Sequence, residues 1–490
     1  MFLKLLFNNL YILNAKFCFR MIKKVLLIEP GTELDIYPPS GLLSIAAVLR
    51  EKGYDVAIKD YSGCRLNDKQ IASDLQDYDF IGIKVLTSPI IKRAIVVSKI
   101  AKEQRKIVVW GGPHPTVLPE LTLKEGFIDA IVIGEGELAI LDLIDYFNGA
   151  KKEPLGSGIK KNGIIKIFGP QKKFVDLNKL PMPAWDLLGD IDRYFPFKKN
   201  NVLTIAASRG CMFKCGFCHN ANETVNKYLG CFRLRDVEKI IKEFEYVQNL
   251  TKKNIGRLEV GGDLHLSSGT YAKKFNDYFI KNRLKLKWNT SSRFHFMNNE
   301  LIDQCVKAGC ESILFGVESG SPRLQKMMMK PLDLAHAVKV SKRLRDKGVL
   351  VSNAYIFGHP TETKEELKMT LDVMRKIHAD QNLIQLYRPL PGTPYYKICL
   401  ENNRVPKRET LLEWANSGVI GDDVNVSDMD TKFLFREFYK ANLKYQGLYL
   451  YNQLKFLWRS NYKEEFFNTL LDNKFTFKAK QFLFSKIKKY

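Results

Sequence analysis

Residues Ser208–Asn220 read SRGCMFKCGFCHN, placing Cys211, Cys215, Cys218 and His219 close together at the end of an apolar run. Four chemistries fit part of this stretch: a zinc site, a c-type haem attachment, a disulfide, or an iron–sulfur cluster with one iron left open to an outside ligand. What lies around it narrows the choice.

A chain of 490 residues with 45% hydrophobic content has room for two or three domains. Of its nine cysteines, Cys18, Cys64, Cys305, Cys310 and Cys399 are scattered, and only Cys231 lies near the trio. That is not a secreted disulfide framework, so a reducing, cytoplasmic setting is expected. Cys231, Cys305, Cys310 and Cys399 read as buried small apolar residues. His219 reads as a neighbour of the site or as solvent-facing. No run of eighteen apolar residues exists to span a bilayer. The net charge of +24 reads as compositional drift in a chain rich in Lys, Asn, Phe and Tyr, and nucleic acid is not an expected partner. Residues 1–22 read as an N-terminal extension, because Asn8, Asn9 and Asn14 interrupt its apolar run and no small-residue cleavage site follows. Met21 is an alternative start.

From residue 23 the pattern alternates between strand and helix. KKVLLIEP, DVAIKDY, DFIGIKVL, KIVVWGG and DAIVIGEG are apolar strands, and GLLSIAAVLREKG, DKQIASDLQD, IIKRAIVVSKIAKEQ and ELAILDLIDYF are helices between or after them. Over residues 23–149 this predicts a doubly wound, Rossmann-like parallel sheet covered on both faces. Ligands of such sheets lie beyond the carboxyl ends of the strands. Those ends carry Pro30–Gly31, Thr87–Ser88, Gly111–Gly112–Pro113–His114 and Gly134–Glu135–Gly136–Glu137. Residues 150–200, with a small hairpin in GIKKNGIIKIFG and the Pro-punctuated LNKLPMPAWDLLGD, read as a connector. Residues 201–397 alternate again through NVLTIAAS, RLEVGG, LKWNTSS, SILFGVES, VSNAYIFG and NLIQLYRPL, which predicts a partial (β/α)6 barrel. Residues 398–490 form a mostly helical C-terminal region. Its last sixty residues hold 13 Lys+Arg against 4 Asp+Glu, with 17 aromatics interleaved. We read them as a helical cap on the barrel, with peripheral contact to an anionic membrane as the other reading.

Haem attachment needs export and leaves Cys211 unused. A structural zinc site wants four ligands, usually as two knuckles, and no second C-x-x-C follows. Closely spaced thiolates hold cubane clusters, and three for four irons leave one iron free to chelate a ligand.

In this setting C-x-x-x-C-x-x-C, with Phe217 beside the last cysteine, resembles the motif of the radical S-adenosylmethionine (SAM) enzymes. Gly261–Gly262–Asp263, GVESGS (316–321), GHPTET (358–363) and PLPGTPYY (389–396) are similar to further motifs of that family. PPSGLLSIAAVLREKGYDV, GGPHPTVLPE, VIGEGE and LNKLPMPAWDLL resemble the cobalamin-binding domain and connector of one subclass. The resemblance implies a [4Fe–4S] cluster on Cys211, Cys215 and Cys218, reductive cleavage of SAM to a 5′-deoxyadenosyl radical, and methylation of an unactivated carbon. It implies SAM contacts at Phe217, Gly261, Gly262, Asp263, Arg293 and Glu318. Cobalamin contacts would come from Pro30, Gly31, Thr87, Ser88, Gly111, Gly112, His114, Gly134, Glu135 and Gly136. No D-x-H-x-x-G run is present to supply a histidine beneath cobalt. The implied partners are a small-molecule or natural-product substrate and a one-electron donor such as flavodoxin or ferredoxin. Oxidative cyclisation or ring remodelling is the rival reaction, and a zinc or electron-transfer protein the non-catalytic one. A tRNA methylthiotransferase would need a second three-cysteine set, whereas residues 23–149 hold only Cys64.

Overall fold

The computed structural model describes residues 21–459 apart from 34–35, 198–199, 231, 263–265, 267–268 and 417–424, with the backbone alone beyond 445. The expected N-terminal extension before residue 21, Cys231, Asp263 and the end of the basic tail fall outside the described residues.

The first sheet contains β1 (Lys24–Glu29), β2 (Asp55–Asp60), β3 (Phe80–Lys84), β4 (Ile107–Gly111) and β5 (Ala130–Val132), all parallel, in the order β2-β1-β3-β4-β5. Both faces are covered. Val25, Leu27 and Val109 point into a core shared with the helices Ser40–Glu51 and Gly136–Phe147, while Leu26, Ile28, Val108 and Trp110 meet the helices Asp68–Leu75 and Ile90–Glu103. Burial on two sides is why these strands read as unbroken apolar runs. The hairpin read within the connector adds β6 (Ser157–Lys161), antiparallel to β5, and β7 (Ile164–Ile167), antiparallel to β6. An uncovered β5 would present a row of unpaired backbone groups, and the hairpin pairs them.

The second sheet starts at β8 (Asn201–Ala206) and is interrupted by a two-stranded ribbon, β9 (Ser208–Arg209) against β10 (Arg233–Leu234). It continues through β11 (Ile255–Gly261), β12 (Lys287–Ser292), β13 (Cys310–Glu318), β14 (Leu350–Phe357) and β15 (Gln381–Leu386), all parallel, in the order β15-β14-β13-β12-β11-β8. This is the partial six-unit barrel that the alternation predicts. Only the outer face is packed against helices: Leu203, Ile205, Leu258, Val260 and Ile313 are fully or almost fully buried, while Val202, Thr204 and Ala206 stay exposed on the inner face.

The motif residues have local reasons to be where they are. Thr363 caps the helix Lys364–Ile377 in a capping box with Glu366, and Glu362 accepts the backbone N–H groups of Gly358 (2.6 Å) and His359 (3.1 Å) to tighten the preceding turn. Ser321 caps the helix Pro322–Met327, and Thr393 caps the helix Pro394–Glu401. Of the last sixty residues, read as a cap, only the first part is described, and it packs against the barrel. In the helix Thr431–Arg459, Leu434 and Ala441 are buried and Phe433, Phe438 and Tyr445 lean on the barrel core.

Candidate active site

The ribbon β9–β10 closes the base of one excursion, residues 210–232, that carries all three clustered cysteines. Gly262 lets the end of β11 approach this base. Its φ is +119°, and a Cβ there would stand 2.5–2.9 Å from Ser208 side-chain and backbone atoms. Within the excursion Gly216 is held from two sides, donating to the Met328 carbonyl (3.0 Å) and accepting from Tyr395 N–H (2.9 Å). Cys215 is buried, Cys211 and Cys218 are half-buried, and His219 faces solvent. Arg293 donates to Cys215 Sγ at 2.7 Å, with its guanidinium 3.5 Å from the centroid of the Phe213 ring. Among the described residues no three His, Cys, Asp or Glu side chains converge on a single-ion position. A charge-assisted donor on one thiolate suits an anionic iron–sulfur cluster.

The barrel mouth lies beside this loop. Glu318 ends β13 after a break in register at Gly316, with φ +67°, which turns its carboxylate inward. It is ion-paired with Lys330 at 2.6 Å, both side chains nearly buried. Lys330 Nζ also stands 5.9 Å from the Phe217 ring centroid, and Phe217 meets Tyr395 edge-on. A Cβ on Gly316 would come within 2.4 Å of both Lys330 Nζ and Glu318 Oε1, so a side chain there would displace the ends of that pair. A carboxylate, an ammonium and an aromatic face beside three cysteines fit the ammonium, carboxylate and adenine of SAM. Phe217 and Glu318 thus meet through Lys330, Arg293 touches Cys215, and Gly261 and Gly262 stand at the end of β11 beside the base of the cysteine loop. Lys330 has no signal in the sequence, since it follows three methionines in an unremarkable turn. Three rings pack behind Phe217, with centroids 5.5–6.4 Å apart: His359 and Tyr387, just past the ends of β14 and β15, stack on each other, and both meet Tyr395 of the helix Pro394–Glu401 edge-on. Burial pushes the Glu362 carboxyl up to about 8 and the His359 imidazole down to about 4, so both are neutral at pH 7.

A cavity of ≈ 340 Å³ opens between the carboxyl ends of the first sheet, the connector and β8. Gly82, Gly111, Gly112, Gly134 and Gly136 line it, together with Glu135, Glu137 and Arg209. A glycine-lined edge lets a flat macrocycle approach the backbone, which fits a corrin ring. Pro30, Gly31, Thr87, Ser88 and His114 lie outside this lining. The Pro30 carbonyl accepts from Arg93 (2.8 Å), and Ser88 accepts from Ile90 N–H (3.2 Å). His114 is wholly buried 3.0 Å from the Thr87 hydroxyl, and burial lowers its imidazole to about 4. Among the described residues no histidine lines the cavity.

Two family models match the chain, the B12 binding domain over residues 31–144 and the radical SAM superfamily over residues 205–374. An uncharacterized methyltransferase of Pyrococcus horikoshii is 31% identical over 398 residues, covering 78% of this chain and 84% of that protein. The chain belongs to the B12-binding radical SAM enzymes. That family's cofactors are SAM, a [4Fe–4S] cluster and cobalamin. Among the B12-binding radical SAM enzymes, the methyltransferase TsrM of Kitasatospora setae, solved with cobalamin and a [4Fe–4S] cluster bound, shares the fold. Its TM-score is 0.65 at 16% identity, over 78% of this chain and 75% of that chain. An anaerobic magnesium-protoporphyrin IX monomethyl ester cyclase of Rubrivivax gelatinosus is 26% identical over 76% of this chain and 69% of its own length. No described helix is long and apolar enough to cross a membrane.

Proposed function

We propose that this chain is a cobalamin-dependent radical SAM methyltransferase acting on an unactivated carbon of a small molecule. One observation carries the reading: the cavity of the first sheet and the cysteine loop share a wall. Arg209 lines the cavity and stands two residues before Cys211. When bound, the cluster with SAM supplies an alkyl radical and cobalamin supplies a methyl group. The protein's part is placement. Cys211, Cys215 and Cys218 hold the cluster, with Arg293 offsetting its negative charge at Cys215. Glu318 and Lys330 receive the ammonium and carboxylate of SAM, and Phe217 packs against its flat part. Thr204 and Ala206, exposed on the inner face, also line the cavity, so the corrin side would adjoin the first barrel strand. Electrons come from a flavodoxin- or ferredoxin-type donor.

The test uses full-length protein reconstituted anaerobically with iron, sulfide and hydroxocobalamin, then desalted and given reductant and SAM. Wild type is expected to retain cobalamin near one per chain and to form both 5′-deoxyadenosine and S-adenosylhomocysteine. Cys215→Ala should retain cobalamin and form no 5′-deoxyadenosine. Deoxyadenosine without S-adenosylhomocysteine would favour the cyclase reading, because loading the corrin with methyl from SAM leaves S-adenosylhomocysteine. Loss of cobalamin on desalting would remove the methylation reading.

A further inference from the structure

The ribbon that closes the cysteine loop carries two arginines directly opposite each other, Arg209 on β9 and Arg233 on β10. Both reach out of the barrel to one short segment of the first domain. Arg209 binds Glu135 at 3.1 Å and Glu137 at 2.5 Å. Arg233 takes both oxygens of Glu135, at 3.0 and 2.9 Å. Ser44 adds a hydrogen bond of 2.7 Å to Glu137, and Val175 N–H one of 3.2 Å to Glu135. The two carboxylates are almost fully buried, with side chains 6% and 2% exposed. Burial alone would raise the Glu137 carboxyl, yet Arg209 and Ser44 hold it below its ordinary value. Two part-buried guanidiniums on two buried carboxylates satisfy one another, and removing Arg209 leaves Glu137 without a charged partner.

The position of this network matters more than its strength. Gly134, Glu135, Gly136 and Glu137 form one wall of the cavity, and Leu229, near the far end of the cysteine loop, lines another part of it. Arg233 also donates to the Leu229 carbonyl at 2.7 Å. A single set of side chains therefore anchors the cavity wall and both strands at the base of the cysteine loop.

We propose that Arg209 and Arg233, through Glu135 and Glu137, are positioning residues that couple cobalamin binding to the seating of the iron–sulfur cluster; this rests on the cofactor placement proposed above. An occupant that orders the wall orders the ribbon, and by linkage a seated cluster tightens the cavity by the same factor. The experiment measures the Kd of hydroxocobalamin by anaerobic equilibrium dialysis on full-length protein, with the cluster reconstituted and with iron and sulfide left out. Wild type is expected to bind at least about 5-fold more tightly with the cluster present, the lower range of such couplings. Glu135→Gln should bring the two Kd values together, while a merely structural lesion weakens both equally and leaves their ratio alone. Arg233→Lys, which keeps the charge but loses the paired bonds to Glu135, gives a second and milder reading of the same ratio. A wild-type ratio of one with cobalamin still bound overturns the coupling alone, as does an undiminished ratio in both variants. A wild type that binds no cobalamin in either form overturns the cofactor placement with it.

Discussion

The two sheets are built from the same parallel βα units, yet they offer ligands opposite surfaces. In the first, residues on both sides of β1 are buried, Val25 and Leu27 on one face and Leu26 and Ile28 on the other, so only the strand ends are left for a ligand. In the second, burial alternates strictly along β8, and the inner face of an incompletely closed barrel stays available. Covering a sheet twice confines binding to an edge, where glycines and backbone do the work. Covering it once frees a face, where charged side chains can meet. The first region accordingly lines its cavity with glycines, and the second gathers Arg293, Glu318 and Lys330 beside the cysteines.

The largest expected effect falls on the charged mouth. Lys330→Met strands the nearly buried Glu318 carboxylate and should cost about 3–5 kcal/mol locally. Hydrogen exchange should show it at the ends of β13 and the following helix, with weaker SAM binding and unchanged cobalamin retention. Loss of cobalamin instead would break the division of labour between the sheets.

Next come two glycines, one from each region. Gly134 (φ +83°) leaves only 2.4 Å between a prospective Cβ and the Tyr228 carbonyl oxygen, and Gly262 packs against Ser208 in the same way. Alanine at either site carries roughly 1–3 kcal/mol of backbone strain in addition to the overlap. Gly134→Ala should weaken hydroxocobalamin binding first, whereas Gly262→Ala should lower the iron bound per chain first. Equal effects of both on both cofactors would mean that the two sites fail as one.

The smallest effect is in pH. His114 in the first region and His359 in the second are both held near 4 by burial, against 6.5 when unfolded. The stability each supports is present above 6.5 and is lost as pH falls toward 4. Glu362, raised to about 8 from 4.5, has the opposite sign: its support is present below 4.5 and is lost as pH rises toward 8. Thermal midpoints across pH 5–8 should therefore decline on the alkaline side, and Glu362→Gln should flatten that limb while leaving the acid limb in place. An unchanged alkaline limb in Glu362→Gln would mean that the carboxyl is ionised in the folded protein.

Much of this was legible in the chain because its causes are local. Period-3.6 helices and apolar strands alternate within tens of residues, so both sheets and the partial barrel can be read in order. The cysteine spacing and the motifs GVESGS, GHPTET and PLPGTPYY each act over a few residues, although the helix caps they hold at Ser321, Thr363 and Thr393 emerge only in the structure. The connector hairpin was readable as a hairpin, but not as the edge of the first sheet, since that depends on β5 lacking another neighbour. At the first sheet's strand ends every loop looked equally suited to a ligand. Only packing separated Gly111, Gly112, Gly134, Glu135 and Gly136, which line the cavity, from Pro30, Gly31, Thr87, Ser88 and His114, which do not.

By itself the sequence determined the two α/β units, the thiolates and the kind of chemistry, because periodicity and short spacing are properties of neighbouring residues. Tertiary structure alone decided which charges meet. Glu135 lies 74 residues from Arg209 and 98 from Arg233. No local pattern signals such a pairing, because it exists only when two independently patterned domains bury their facing edges.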